Sequence, residues 1–207
     1  MSAFDPKRTF AARQQAEVIA LAEAPLEVTM DREFSNQSSL LSTPLLIPPG
    51  VGDQFHFGGY STHWKIDGAQ TGGRLAIVHH PLIPRTLGAP LHRHHREDEY
   101  SYVLTGTFGA LLGDAVVTAQ PGTWVFKPRG QWHTFWNAGD TPCEIIEVIS
   151  PAGFENYWRE LRTVWPDRTK SAAFLQKYGL DVDFDSVPKL CSRFGLKSAS
   201  ATAPDRG

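Results

Sequence analysis

From about residue 56 to residue 150 the chain alternates apolar and polar positions in short runs interrupted by Gly and Pro. Segments 62–66, 74–80, 99–104, 107–112, 115–118, 123–127, 131–136 and 143–149 each read as a strand. Pro81 and Pro84 end the second of these and Pro151 ends the last. Asp67-Gly68, Pro121-Gly122, Pro128-Arg129-Gly130 and Asn137-Ala138-Gly139-Asp140 supply turns. Gly113-Asp114 has the two-residue spacing of a hairpin. Short strands at close, even spacing predict an all-β sandwich or barrel. In 123–127 the polar ends share parity with Val125, which places Trp124 and Phe126 inward.

After Pro151 the period changes from two to about 3.6. Phe154, Tyr157, Trp158 and Leu161 fall at i, i+3, i+4 and i+7, one face of a helix. A second helix is expected over 171–178, stopped by Gly179, and a third carrying Val187, Leu190, Cys191 and Phe194, ended by Gly195. These helices cover one barrel face or make an oligomer contact; the alternative is a lid over a pocket. The chain therefore divides into an N-terminal extension (1–40), a β-barrel domain (41–152) and a helical C-terminal extension with a loose Ser/Ala-rich tail from Lys197 (153–207). The first of these carries a candidate helix at 13–22 and a polar linker at 32–39. It is either disordered or packs as an edge strand.

Composition narrows the class. A chain of 207 residues suits one domain with extensions, and 41% hydrophobic against 20% charged residues is ordinary globular usage. The net charge is -2 and Lys/Arg runs are absent, so nucleic acid is not an expected partner. No apolar run approaches the ~18 residues of a membrane span. The polar N-terminus lacks the apolar core of a secretory signal. Cys143 and Cys191, in no CxxC pattern, read as free thiols. These features point to a cytoplasmic protein.

The candidate chemistry lies in His92-Arg93-His94-His95-Arg96-Glu97-Asp98-Glu99, three imidazoles and three carboxylates in eight residues. In a strand, residues two apart share a face, so His92 and His94 present both rings to one side and His95 faces away. Glu99 lies at an odd offset from His94, and a bend at 96–98 would bring it inward at the start of the next strand. Glu97 and Asp98 then read as solvated turn residues. His133 sits in an aromatic strand and is the expected fourth member. Parity with Glu99 and His133 points Ser101, Val103 and Phe135 to the interior, and with Trp124 and Phe126 these suggest an apolar pocket. One of His79 and His80 must also face inward.

These residues fall into two patterns. His-x-His-x4-Glu-x6-Gly is met by His92, His94, Glu99 and Gly106; Gly-x5-Pro-x-Gly-x2-His-x3-Asn is met by Gly122, Pro128, Gly130, His133 and Asn137. Together they resemble the two motifs of the cupin superfamily, over residues 56–150. The sequence departs from the pattern at Thr86, where a glycine is expected; Gly88 follows two residues later. The resemblance implies an all-β cupin jelly roll, a double-stranded β-helix with a metal in its mouth. It further implies His92, His94, Glu99 and His133 as metal ligands. Three imidazoles and one carboxylate suit a divalent transition metal with open positions, Fe(II) or Mn(II) by preference, with Ni, Co, Cu or Zn also compatible.

The resemblance is to single-domain cupins similar to quercetin dioxygenases. It implies a metal-dependent, dioxygenase-like oxidoreductase acting on a small apolar or aromatic molecule, with Glu99 also serving as the catalytic proton acceptor. Two alternatives stay open: a non-redox lyase, isomerase or cyclase, and a non-catalytic ligand-binding protein. A homodimer is the expected assembly.

Overall fold

The alternating strands fold into two sheets whose inner faces share a core. The computed structural model describes residues 45–164 and 168–198; the expectations for 1–40, including the helix at 13–22, and for the tail beyond Ser198 lie outside them. The first sheet contains β1 (Gln54–Phe57), β2 (Tyr60–Ile66), β3 (Ala76–Leu82), β11 (Cys143–Ser150), β6 (Asp98–Thr105) and β9 (Trp124–Lys127), in that spatial order. Its recorded strand pairs are antiparallel.

The second sheet is centred on β10 (His133–Asn137). This strand pairs with β5 (Leu91–His94) and β4 (Thr86–Leu87), and also with β7 (Phe108–Leu112). β7 turns through Gly113-Asp114 into β8 (Ala115–Ala119), with Leu112 opposite Ala115 as the hairpin spacing predicts. The result is the expected jelly roll. Tyr60, Leu82, Val103 and Ile145 from the first sheet meet Phe108, Ala110 and Phe135 from the second in one buried cluster. Burial of each large apolar side chain there stabilises the fold by about 1.5–3 kcal/mol.

Several local expectations change. β3 continues through Pro81 to Leu82. The Asp67-Gly68 turn opens a one-turn helix, α1 (Gly68–Thr71). Gly106 has φ +73, and a Cβ there would lie 2.4 Å from the carbonyl oxygen of Pro142, so the close approach of the two chain segments requires glycine.

The C-terminal extension contains the three expected helices, α2 (Glu155–Val164), α3 (Arg168–Lys177) and α4 (Ser186–Phe194). Gly195 ends the last in the left-handed conformation, its N–H donating to the carbonyl of Cys191. The extension is not purely helical. β12 (Leu180–Asp183) pairs antiparallel with β5, and β13 (Lys197–Ser198) pairs parallel with β4, so the tail begins as a strand. The start of α2 is fixed by buried Glu155. Its carboxylate accepts the backbone N–H groups of Gly68 and Gly153, and its carbonyl accepts the indole N–H of Trp64.

Candidate metal centre

β5, β6 and β10 bring His92, His94, Glu99 and His133 together. Each offers one ligand atom, the four atoms lie within 4.8 Å of one another, and all four residues are buried. Alternation in β5 turns His92 and His94 to the same side. The chain bends between β5 and β6, so Glu99 enters β6 facing inward. Cross-strand pairing places His133 directly opposite His92.

The imidazoles are oriented by local hydrogen bonds. His92 Nδ1 donates to the Pro90 carbonyl at 2.8 Å and His133 Nδ1 to the Gln131 carbonyl at 3.0 Å. Each ring therefore turns Nε2 inward as a lone-pair donor. Burial, with neighbouring His133 and His94, holds His92 well below the usual histidine range. Burial also lowers His133, against the opposing pull of Glu99. Both rings are neutral, the form that binds metal. Burial disfavours an ionised Glu99, but Lys127, His94 and His133 outweigh it and hold the carboxyl well below the usual range.

The ring of His94 is the strongest sign that the group is built for an ion. Both its nitrogens are buried without a hydrogen-bond partner. Nε2 lies 3.2 Å from Glu99 Oε1 and Nδ1 lies 3.7 Å from Glu97 Oε2. An unsatisfied buried polar atom is costly, and an ion at Nε2 would relieve it. The donor set, three imidazoles and a carboxylate, fits a divalent transition metal. These four side chains are able to hold a metal ion.

A cavity of about 160 Å³ opens from this cluster. His92, Glu99 and Glu147 form its polar end, while Phe55, Phe57, Tyr60 and Phe135 contribute barrel walls. The C-terminal extension closes over it with Phe154, Tyr157, Trp158, Leu180 and Val182. The expected helices thus do more than cover an outer face. Phe154 stands edge-on to His94, with ring centroids 4.2 Å apart.

The expected pocket residues divide. Phe135 lines the cavity. Ser101 and Val103 face inward as predicted but lie behind it, Ser101 donating to Glu147 and Val103 packing in the core. Trp124 and Phe126 point outward and are 59% and 51% exposed, while Val125 and Lys127 take the inward positions. The polar end of the strand is the buried one because Lys127 Nζ has partners inside: Glu99 Oε2 at 2.9 Å and Glu147 Oε1 at 2.5 Å. It also sits 5.1 Å from the centre of the Phe135 ring.

Glu97 is buried beside His94 rather than solvated. Asp98 accepts the backbone N–H and guanidinium of Arg129, which pins the bend. His95 remains at the surface, paired with Asp181 at 2.9 Å. Of the His79–His80 pair, His80 is the inward one. It packs behind the cavity against Tyr60 and Trp158.

Sequence reasoning passed over Lys127, Glu147 and Tyr60, and left open which of His79 and His80 faces inward. Their signal was phase: Glu147 shares inward parity with Ile145 and Ile149, and Lys127 with Val125. Ser101 and Lys127 both donate to Glu147 Oε1, and Tyr60 Oη lies 3.3 Å from His80 Nε2. Burial pushes His80 down to about 3, leaving it neutral. Burial raises Glu147, with Lys127 opposing.

Residues 79–149 match the cupin-domain family model. Among solved structures the chain is similar to KdgF from Halomonas sp., at 20% identity over 55% of this chain and 98% of that one, with a TM-score of 0.49. A sugar phosphate isomerase of the cupin superfamily from Silicibacter pomeroyi is 19% identical over 51% of this chain and 75% of that one, with a TM-score of 0.45. A predicted oxalate decarboxylase from Thermotoga maritima is 18% identical over 52% of this chain and 99% of that one, with a TM-score of 0.48. No curated protein matches significantly. Among the described residues no helix is long and apolar enough to cross a membrane.

Proposed function

We propose that the chain is a metal-dependent, dioxygenase-like cupin enzyme acting on a small apolar or aromatic molecule. His92, His94, Glu99 and His133 are the ligands of one divalent transition ion, Fe(II) or Mn(II) by preference, with Ni, Co, Cu and Zn compatible with the same donors. The supporting observation is the His/Glu cluster at the polar end of an aromatic-walled cavity. When bound, such an ion supplies Lewis acidity toward a substrate oxygen and, if redox-active, access to oxygen chemistry.

The protein's own residues define the substrate. The cavity, about 160 Å³, is smaller than the roughly 300–1,000 Å³ of drug-sized pockets and suits a single-ring molecule. No Arg or Lys lines it among the described residues, so a phosphorylated substrate would find no cationic side chain there. The aromatic walls exclude water and orient the ring, leaving an oxygen of the molecule toward His92, Glu99 and Glu147.

A second reading keeps the metal and substrate class but not the oxidant. A lyase, isomerase or cyclase needs a proton carrier, and the cavity-lining carboxylate of Glu147 favours it. A cytoplasmic homodimer completes the proposal. Phe126 stacks on Tyr100 and Trp124 packs at a tilt against Tyr102 at an exposed sheet edge, an apolar face that a second copy would cover.

Metal analysis of protein purified without added metal, followed by oxygen uptake with enolic and phenolic single-ring compounds, tests these readings. Oxygen uptake supports the first. Anaerobic turnover supports the second, and binding without turnover leaves a ligand-binding cupin. Absence of metal, unchanged by His133→Ala, sinks the metal-site reading.

A further inference from the structure

We infer that Glu147 accepts the proton from a hydroxyl of the molecule bound in the cavity and returns it. The inference rests on the metal-site reading above and assigns the proton to a residue outside the ligand set.

Two carboxylates reach the polar end of the cavity, and their surroundings differ. Glu99 is committed to the candidate ion: Oε1 and Oε2 lie 3.2 Å from His94 Nε2 and His133 Nε2, and Oε2 holds Lys127 at 2.9 Å. Glu147 has one oxygen engaged. Oε1 accepts from Ser101 at 2.9 Å and Lys127 at 2.5 Å. Oε2 lies 3.9 Å from His80 Nε2, beyond hydrogen-bond distance, and accepts from no described residue. The residue lines the cavity, so the open oxygen is the one a bound hydroxyl can meet.

The groups around Glu147 suit repeated protonation. β2 contributes Tyr60, β3 His80, β6 Glu99 and Ser101, and β9 Lys127. Neutral His80, pushed down to about 3, does not compete for the proton. Lys127 is shared between two carboxylates, so protonating Glu147 does not strand the ammonium; Glu99 still holds it. A purely structural counter-ion for Lys127 is already present in Glu99, which makes Glu147 surplus to that need. Burial raises Glu147 and strengthens it as an acceptor. In the forward step the substrate O–H bond breaks, the proton moves to Oε2, and the electron pair stays on the substrate oxygen. The return step is the reverse.

Anaerobic titration of Mn(II)-loaded protein with maltol, a ring carrying a single acidic hydroxyl, tests the assignment. The titration is run calorimetrically in buffers of different ionisation enthalpy, below the pKa of the free hydroxyl. Wild type is expected to bind maltol in its ionised form, by its ultraviolet band, with almost no proton released to buffer. Glu147→Gln is expected to release about one proton per bound maltol. The double variant Glu147→Gln/Lys127→Met, which leaves no unbalanced buried ammonium, is expected to behave likewise. Equal proton release by wild type and either variant overturns the inference while leaving the metal site standing. Failure of wild type to take up Mn(II) or maltol overturns the metal-site reading, and the inference with it.

Discussion

His133 and His92 are direct cross-strand partners, with imidazole centroids 4.3 Å apart. This one pairing closes the candidate centre, because it returns a residue 34 positions beyond Glu99 to within 3.2 Å of that carboxylate. His133→Ala is expected to lower metal affinity at least about 100-fold, since even residues that merely orient ligands are worth roughly 10–100-fold. Metal content after dialysis and circular dichroism of the same sample would check it. Retained metal at wild-type level counts against the centre.

Lys127 carries the opposite risk. The residue is 1% exposed, and its ammonium balances two buried carboxylates. Lys127→Met is expected to destabilise the metal-free fold by about 3–5 kcal/mol, the usual penalty for breaking a buried ion pair. Adding Glu147→Gln should recover much of that loss. Denaturant unfolding of the single and double variants reads both quantities.

The buried histidine His80 makes stability depend on pH. Its folded value of about 3 lies below the unfolded reference of 6.5, so the unfolded chain binds the extra proton. Its contribution is therefore fully present above 6.5 and is lost as pH falls from 6.5 toward about 3, at up to roughly 1.4 kcal/mol per pH unit. In metal-free protein His92 and His133 are lowered too and add to the same slope. Unfolding free energies measured at stepped pH should show His80→Gln with a shallower fall than wild type.

Gly88 lies two residues beyond Thr86, where the family pattern expects a glycine. Its N–H donates to the Phe135 carbonyl, and a Cβ there would lie 2.4 Å from the Phe135 ring. Gly88→Ala is expected to cost about 1–3 kcal/mol and to shrink the cavity. Thermal unfolding and the affinity for a single-ring ligand would both fall; an unchanged melting temperature argues against this packing.

Exposed Trp124 and Phe126 offer a test of assembly. Trp124→Ser/Phe126→Ser is expected to leave metal content unchanged and to shift sedimentation from dimer to monomer. An unchanged sedimentation coefficient in that variant counts against this face as the interface.

What could be read from the chain and what could not follow from range. His92 and His94 share a face by local geometry, and Phe154, Tyr157, Trp158 and Leu161 share one by helical period, so both were legible. Lys127 was not, because the carboxylates that make its burial tolerable come from β6 and β11. A lysine at the end of an apolar run reads as a solvated terminus until those partners are placed. Glu97 was misread for the same reason: its neighbour His94 is local, but the packing that buries it is not. Leu180–Asp183 alternates over only four residues, too short to announce a strand, and pairs with β5 far upstream.

That pairing also separates two jobs along the chain. The barrel alone supplies every member of the His/Glu cluster, whereas much of the cavity's ceiling is carried by α2 and β12, beyond Pro151. The residues able to hold an ion and much of the cavity lining thus sit on different stretches of sequence. Exchanging the segment after Pro151 for one of altered apolar shape would re-aim which molecules are admitted, provided the new segment kept the pairing of β12 on β5, the strand that carries His92 and His94.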